Sequence, residues 1–222
     1  MLLAVDTSTR WVGLALYDGT QVISEEIWQS VNHHTVELSP ALAVLFKRTG
    51  VNSKALSVLA VALGPGSFTS LRIGLAIVKG MALALKLPVV GVPSLDVTAA
   101  AQPVQDLPLA AALQIGRGRL AVGWYHNLMG AWCSDGAPQI VSVDEFAQSI
   151  HKPTLVCGEL TEEERRVLAR KRKNVLLASP AQSLRRPSYL AELAWQRWKA
   201  GQVDDVLSLA PTYLHVNEVI PG

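Results

Sequence analysis

Residues 64–74, Gly-Pro-Gly-Ser-Phe-Thr-Ser-Leu-Arg-Ile-Gly, are the part of this chain whose types and spacing come nearest to chemistry. An apolar run at 58–63 precedes them and a stretch rich in Ala, Leu and Ile follows to Lys86, so strand, glycine turn and helix is the local reading. Gly64 and Gly66 let the backbone leave a buried strand end, and Ser67 or Thr69 can cap the helix that follows. A helix start of this kind presents unpaired amides and a positive dipole end, which suit an anion. The same turn could equally serve only to re-aim the chain. The lysine of a phosphate-binding P-loop is missing, since Leu75 follows Gly74. Asp6 opens a polar turn, 6–10, after the first strand, where its carboxylate can cap the amides of Ser8 or Thr9. His33 and His34 are adjacent and so cannot share a helical face as metal ligands, and no metalloprotease-type histidine pair occurs. Cys133 and Cys157, the only cysteines, are too far apart to suggest a zinc site or a disulfide framework.

The elements that must position these residues follow from periodicity. Strands are expected at 2–5, 12–17 and 21–28, with Asp18-Gly19 as a hairpin signal between the last two. A helix at 35–48 carries Leu38, Leu42, Leu45 and Phe46 and ends at Gly50. The strand at 58–63, the helix to Lys86 and a strand at 89–92 complete a mixed α/β layer. Beyond a short helix at 94–102, a less regular half offers strands at 109–115, 120–126, 131–134 and 154–157, and helices at 161–171 and 187–200. Both halves run βββ and then alternate, an order that suggests duplication without a visible sequence repeat. We therefore divide the chain into an N-terminal lobe, 1–100, and a smaller C-terminal lobe, 101–222.

With 222 residues, half of them hydrophobic and 17% charged, the chain has the composition of a packed globular protein. Its net charge of +2 is too slight to argue for nucleic-acid binding by the chain alone. The N-terminus lacks a basic leader region, no apolar run was expected to reach the ~20 residues of a membrane span, and a cytoplasmic protein is the expectation. The basic run at 165–173 follows Glu162, Glu163 and Glu164 at helical pairing distances, which is the pattern of a solvated face.

Asp6-Thr7-Ser8-Thr9, the 64–74 turn, Gly91-Val92-Pro93-Ser94-Leu95 and Pro211-Thr212-Tyr213-Leu214 together resemble the TsaB family. Most members carry glycine where this chain has Ser70. The resemblance implies a two-lobe fold of the actin, Hsp70 and sugar-kinase type (ASKHA), with ribonuclease-H-like lobes. It implies a non-catalytic subunit of a complex with the catalytic paralogue TsaD and the ATPase TsaE. That complex transfers a threonylcarbamoyl group onto N6 of an adenosine in tRNAs that read codons beginning with A. By the same resemblance, TsaD bears two metal-binding histidines one helical turn apart where this chain has Ser94 and Thr98. Neutral hydroxyls are poor ligands for such metals, so no metal, cofactor or catalytic residue is expected here, and glycoprotease activity is least expected.

ATP-using members of the fold hold phosphate and magnesium with an acid at the position of Asp6. Asp6, Gly64, Gly66 and Ser67 could accordingly be a vestigial phosphate turn, and an ATP-binding, kinase-like enzyme is the alternative reading. Against it, the second lobe offers Gln114 in place of a second acid, and only Gly158 where a glycine pair would cradle adenosine. Partner binding is the better expectation. Ala76, Gly80 and Ala84 form a small-residue stripe at i, i+4 and i+8, flanked by Ile73, Ile77 and Met81. With Leu38, Leu42 and Leu45 on the neighbouring helix, this is more apolar surface than one sheet face can cover. The resemblance assigns the face to TsaD, or to a second copy in its absence, with tRNA contacted only through the complex.

Overall fold

The computed structural model describes residues 1–30, 33–171 and 173–214. Strands β1 (Leu2–Asp6), β2 (Trp11–Tyr17), β3 (Val22–Gln29), β4 (Val58–Ala62) and β5 (Val89–Val92) form one sheet in the order β3-β2-β1-β4-β5. The first three are an antiparallel meander, and β4 and β5 run parallel to β1. Every residue of β1 and β4 is buried, because helices cover both faces of the parallel part. On the outer face α1 (His34–Thr49) and α2 (Phe68–Leu85) pack Leu38, Leu42, Leu45, Leu75 and Val78 against Leu3, Val5, Leu14 and Leu59.

The second sheet repeats the plan. It contains β6 (Leu109–Gln114), β7 (Leu120–Leu128), β8 (Ala131–Ser134), β10 (Thr154–Gly158) and β11 (Val175–Leu177) in the order β11-β10-β6-β7-β8, with β9 (Gln139–Val141) paired to β7. Read from the other edge, the sequence of first, second, third and parallel strands is the same in both sheets. Helices α4 (Val143–Ser149) and α5 (Glu162–Ala169) cover its outer face around Phe146, Val156 and Leu168. Neither α4 nor the short β9 and β11 was expected from periodicity. The capping box formed by Ser142 and Glu145 was the available signal for α4.

Two helices exchange sides. Helix α3 (Ser94–Ala100) follows the first sheet but packs Leu95 and Ala99 on Leu109, Ala111 and Leu113 of the second. Helix α6 (Pro187–Lys199) follows the second sheet but packs Leu190, Ala191 and Ala194 on Leu2, Ala4 and Ala15 of the first. Beyond α6, Asp204 bridges Val89, and the Thr212 amide donates to the Leu63 carbonyl at 2.7 Å. These contacts cut across a division at residue 100: α6 packs on the first sheet although it follows the second, and Leu214 packs with the core of the second sheet.

Helix α2 is the longest helix among the described residues. It is 18 residues long with mean hydropathy 1.5, long and apolar enough by length and composition to cross a bilayer. Its buried face, Leu71, Leu75, Val78 and Ala82, is instead packed in the core.

Candidate functional site

The turn after β1 sits at the mouth between the lobes. Asp6 Oδ1 accepts from the Ser8 amide at 2.9 Å, the capping role its sequence position suggested. Its other oxygen accepts from Arg185 Nε at 2.5 Å. Arg185 Nη1 also donates to Glu159 Oε1 at 2.5 Å, and Nη2 to Thr9 Oγ1 at 3.2 Å. The guanidinium is 1% exposed. Burial disfavours its charge, but Asp6 and Glu159 outweigh that cost and raise its pKa. Asp6 and Thr9 come from the first lobe, Glu159 follows β10 of the second, and Arg185 precedes α6. One cation therefore ties the two lobes together.

This arrangement bears on the suggested phosphate turn. The Asp6 carboxylate is engaged by the chain's own guanidinium. The Gly64 amide donates to Ser94 Oγ at 3.0 Å and the Ser67 amide to the Ser8 carbonyl at 2.7 Å. A Cβ on Gly66 would run into that same carbonyl, so glycine is needed there for close backbone approach. The Gly64 and Ser67 amides and the Asp6 carboxylate are thus used in folding the turn, and Ser67 serves as the N-cap of α2. Beside the turn a cavity of about 340 Å³ remains, lined by Thr9, Arg10, Ser67, Gln114 and Glu159. Gln114 itself donates to Glu164 at 3.0 Å.

Ser94 and Thr98, compared above with metal-binding histidines, are buried. Ser94 Oγ lies 2.6 Å from Ser8 Oγ, and Thr98 Oγ1 donates to the Ser94 carbonyl at 2.9 Å. The Ser94 hydroxyl thus pins α3 to the glycine turn and to the turn after β1, while the Thr98 hydroxyl bonds back within α3.

The helical face divides. Leu38, Leu42 and Leu45 are core residues, at 0%, 7% and 0% exposure, and this corrects their assignment to a partner surface. Their i, i+4, i+7 spacing is the stripe α1 turns to its own sheet. On α2, Ala76, Gly80 and Ala84 are exposed, while Ile73, Ile77 and Met81 are half-buried at the edge of the core. A Cβ added at Gly80 would meet nothing within 4 Å. Phe68 and Leu83 on α2, and Val36 and Val44 on α1, are also exposed large apolar residues. The basic run is largely solvated: Arg166 pairs with Glu162 at 2.5 Å, Arg170, Lys171 and Lys173 are exposed in the turn beyond α5, and Arg172 lies outside the described residues.

The family model described as "TsaD: tRNA N6-adenosine threonylcarbamoyltransferase" matches residues 21–164. A Bacillus subtilis protein named tRNA threonylcarbamoyladenosine biosynthesis protein TsaB is 30% identical over 98% of this chain and 95% of its own length. The chain belongs to the TsaB family. It is therefore a protein of threonylcarbamoyladenosine synthesis on tRNA, and the kinase-like alternative is not favoured. A Pseudomonas aeruginosa crystal structure described as similar to peptidase YEAZ superimposes with TM-score 0.80 at 24% identity, covering 96% of this chain and 99% of that one. The Clostridium difficile activator of 2-hydroxyisocaproyl-CoA dehydratase, solved with ADPNP, matches at TM-score 0.52 and 10% identity over 90% of this chain and 96% of its own. These likenesses show the fold and bear out the two-lobe ASKHA expectation.

Within this TsaB chain, sequence reasoning missed Arg185 and Glu159. They stand 179 and 153 positions from Asp6 along the chain (185 − 6 and 159 − 6), so no local spacing announces them. The Arg185-Arg186-Pro187 start of α6 was the one available hint, since Pro187 fixes where the helix begins.

Proposed function

We propose that this TsaB-family chain is a non-catalytic scaffold that activates TsaD by docking through the exposed face of α2. One observation carries the reading: α2 has mean hydropathy 1.5, yet only six of its eighteen residues are buried. An apolar helix with seven of its eighteen residues exposed and five more only half-buried favours a partner. Ala76, Gly80 and Ala84 give that partner's helix room for close approach, and Ile73, Ile77 and Met81 supply an apolar flank. A four-helix contact, α1 and α2 against the matching helices of TsaD, satisfies this surface. In TsaD's absence a second copy covers it. Docking would then favour the TsaD conformation competent for transfer, a population shift. TsaE joins this assembly, tRNA is contacted only through it, and the cytoplasm is where that substrate lies.

The engagement of Asp6 by Arg185, and of the Ser94 and Thr98 hydroxyls by the fold, supports a role without catalytic residues. Reconstitution tests it: TsaD and TsaE should modify tRNA with this chain and fail without it. Gly80→Arg should keep the native Tm and abolish TsaD binding, since a charge forced into a close-packed contact costs on the order of several kcal/mol. Equal modification without the chain, or normal complex formation by Gly80→Arg, overturns the proposal.

A further inference from the structure

On the opposite side of the central helices from the glycine turn, α3, α6 and the β7–β8 hairpin enclose a separate cavity of about 370 Å³. Its size falls within the range of small-molecule pockets. Asp96, on the first turn of α3, lines it. Asp96 Oδ1 accepts from the Tyr125 hydroxyl at 2.8 Å, while among the described residues Oδ2 has no hydrogen-bond partner. Nor is that oxygen sealed in protein, so it opens toward the cavity. Trp132, Tyr189 and the almost fully buried Tyr125 line the cavity, and Glu192 adds a second carboxylate at the exposed rim. The Trp132 indole is held in place by donating Nε1–H to the Gln102 carbonyl at 3.1 Å.

Arg197 also lines the cavity, but its guanidinium is committed elsewhere. It donates to the Gly91 carbonyl and lies 4.0 Å from Asp204. Burial raises the pKa of Asp96, against the pull of the Tyr125 hydroxyl and the Arg197 charge. A half-satisfied carboxylate in an aromatic enclosure is the environment in which an organic cation gains most. The carboxylate supplies charge and the ring faces supply their negative quadrupoles.

We propose that this cavity binds an organic ammonium group, with Asp96 as the counter-ion and Tyr125, Trp132 and Tyr189 as the aromatic cage. The site depends on neither the α2 face nor the partner assigned to it.

Titrating the full chain with n-butylammonium, with n-butanol as the neutral control, tests the assignment by nitrogen–proton NMR. The Trp132 indole resonance should shift saturably, and n-butanol should bind at least about tenfold more weakly. Asp96→Asn, which still can accept from Tyr125, should weaken n-butylammonium about tenfold and leave n-butanol unchanged. Should that variant not fold, Glu192→Gln is read in the same way with a smaller expected loss. Equal binding of the alcohol, perturbation confined to residues away from Trp132, or no effect of either substitution overturns the proposal. Given binding, Nα-acetyl-lysine amide and spermidine separate a protein side chain from a free polyamine as the source, according to which titrates more tightly.

Discussion

Arg185 carries a full charge into a space from which water is excluded, and two carboxylates on different lobes make that tolerable. Its planar fork reaches Asp6, Thr9 and Glu159 at once, which an ammonium could not do. Removing it would leave Asp6 and Glu159 buried without a counter-ion. Arg185→Met should therefore destabilise the chain by about 3–5 kcal/mol, read as the shift in a urea unfolding curve. Adding Asp6→Asn to Arg185→Met should recover part of that loss, because one uncompensated charge disappears. Arg185→Lys should restore less than half. If Arg185→Met costs under about 1 kcal/mol, the cation is not what holds this junction. At this scale the sequence was half legible. The Asp6 turn could be read from its neighbours, since Ser8 is two residues away. The guanidinium that claims the carboxylate could not, because only the finished fold brings position 185 to position 6.

Helix α2 carries one buried stripe and one exposed stripe. Leu71, Leu75, Val78 and Ala82 face its own sheet, and Ala76, Gly80 and Ala84 face outward. Both sets recur at intervals of three or four, so periodicity alone marks each as a stripe without saying which one the monomer covers. On α1 the same ambiguity ran the other way, and Leu38, Leu42 and Leu45 belong to the core. Residue size separates the cases. Leucines fill the space above a sheet, whereas a row of Gly and Ala leaves its own core nothing to fill. Gly80 in a helix interior is then a cost to the isolated chain. Gly80→Ala should stabilise the free protein by up to about 1 kcal/mol, since open space surrounds the new methyl group. It should also weaken TsaD binding, because close approach at that point is lost. Thermal unfolding and calorimetric titration measure the two effects on one sample. A variant that gains stability and binds undiminished would remove Gly80 from the contact. Short elements such as β9 and β11, of three residues each, lie below what periodicity can resolve.

The repeated strand order makes the molecule look like two independent lobes, but the exchange of α3 and α6 argues that it unfolds as one. The duplicated order was visible in the alternation of apolar runs. The exchange was not, because α6 reaches back from residue 190 to strands at 2 and 58, across more than half the chain. Leu190 is fully buried against the first sheet, and burying such a side chain contributes roughly 1.5–3 kcal/mol. Leu95 makes the reciprocal connection from α3 to the second sheet. Opening either lobe therefore strips a helix from the other and also exposes the Asp6–Arg185–Glu159 cluster. Scanning calorimetry should show a single transition whose calorimetric and van't Hoff enthalpies agree. A chain ending before Pro187 should lose that transition altogether, including the part due to the second sheet, whose own outer helices remain present. Two resolved transitions in the full chain, or a second lobe that still melts cooperatively in the shortened one, would mean that the crossed helices do not couple the halves. On the proposed scaffold role, rigidity between the lobes would present α2 at a fixed angle to TsaD.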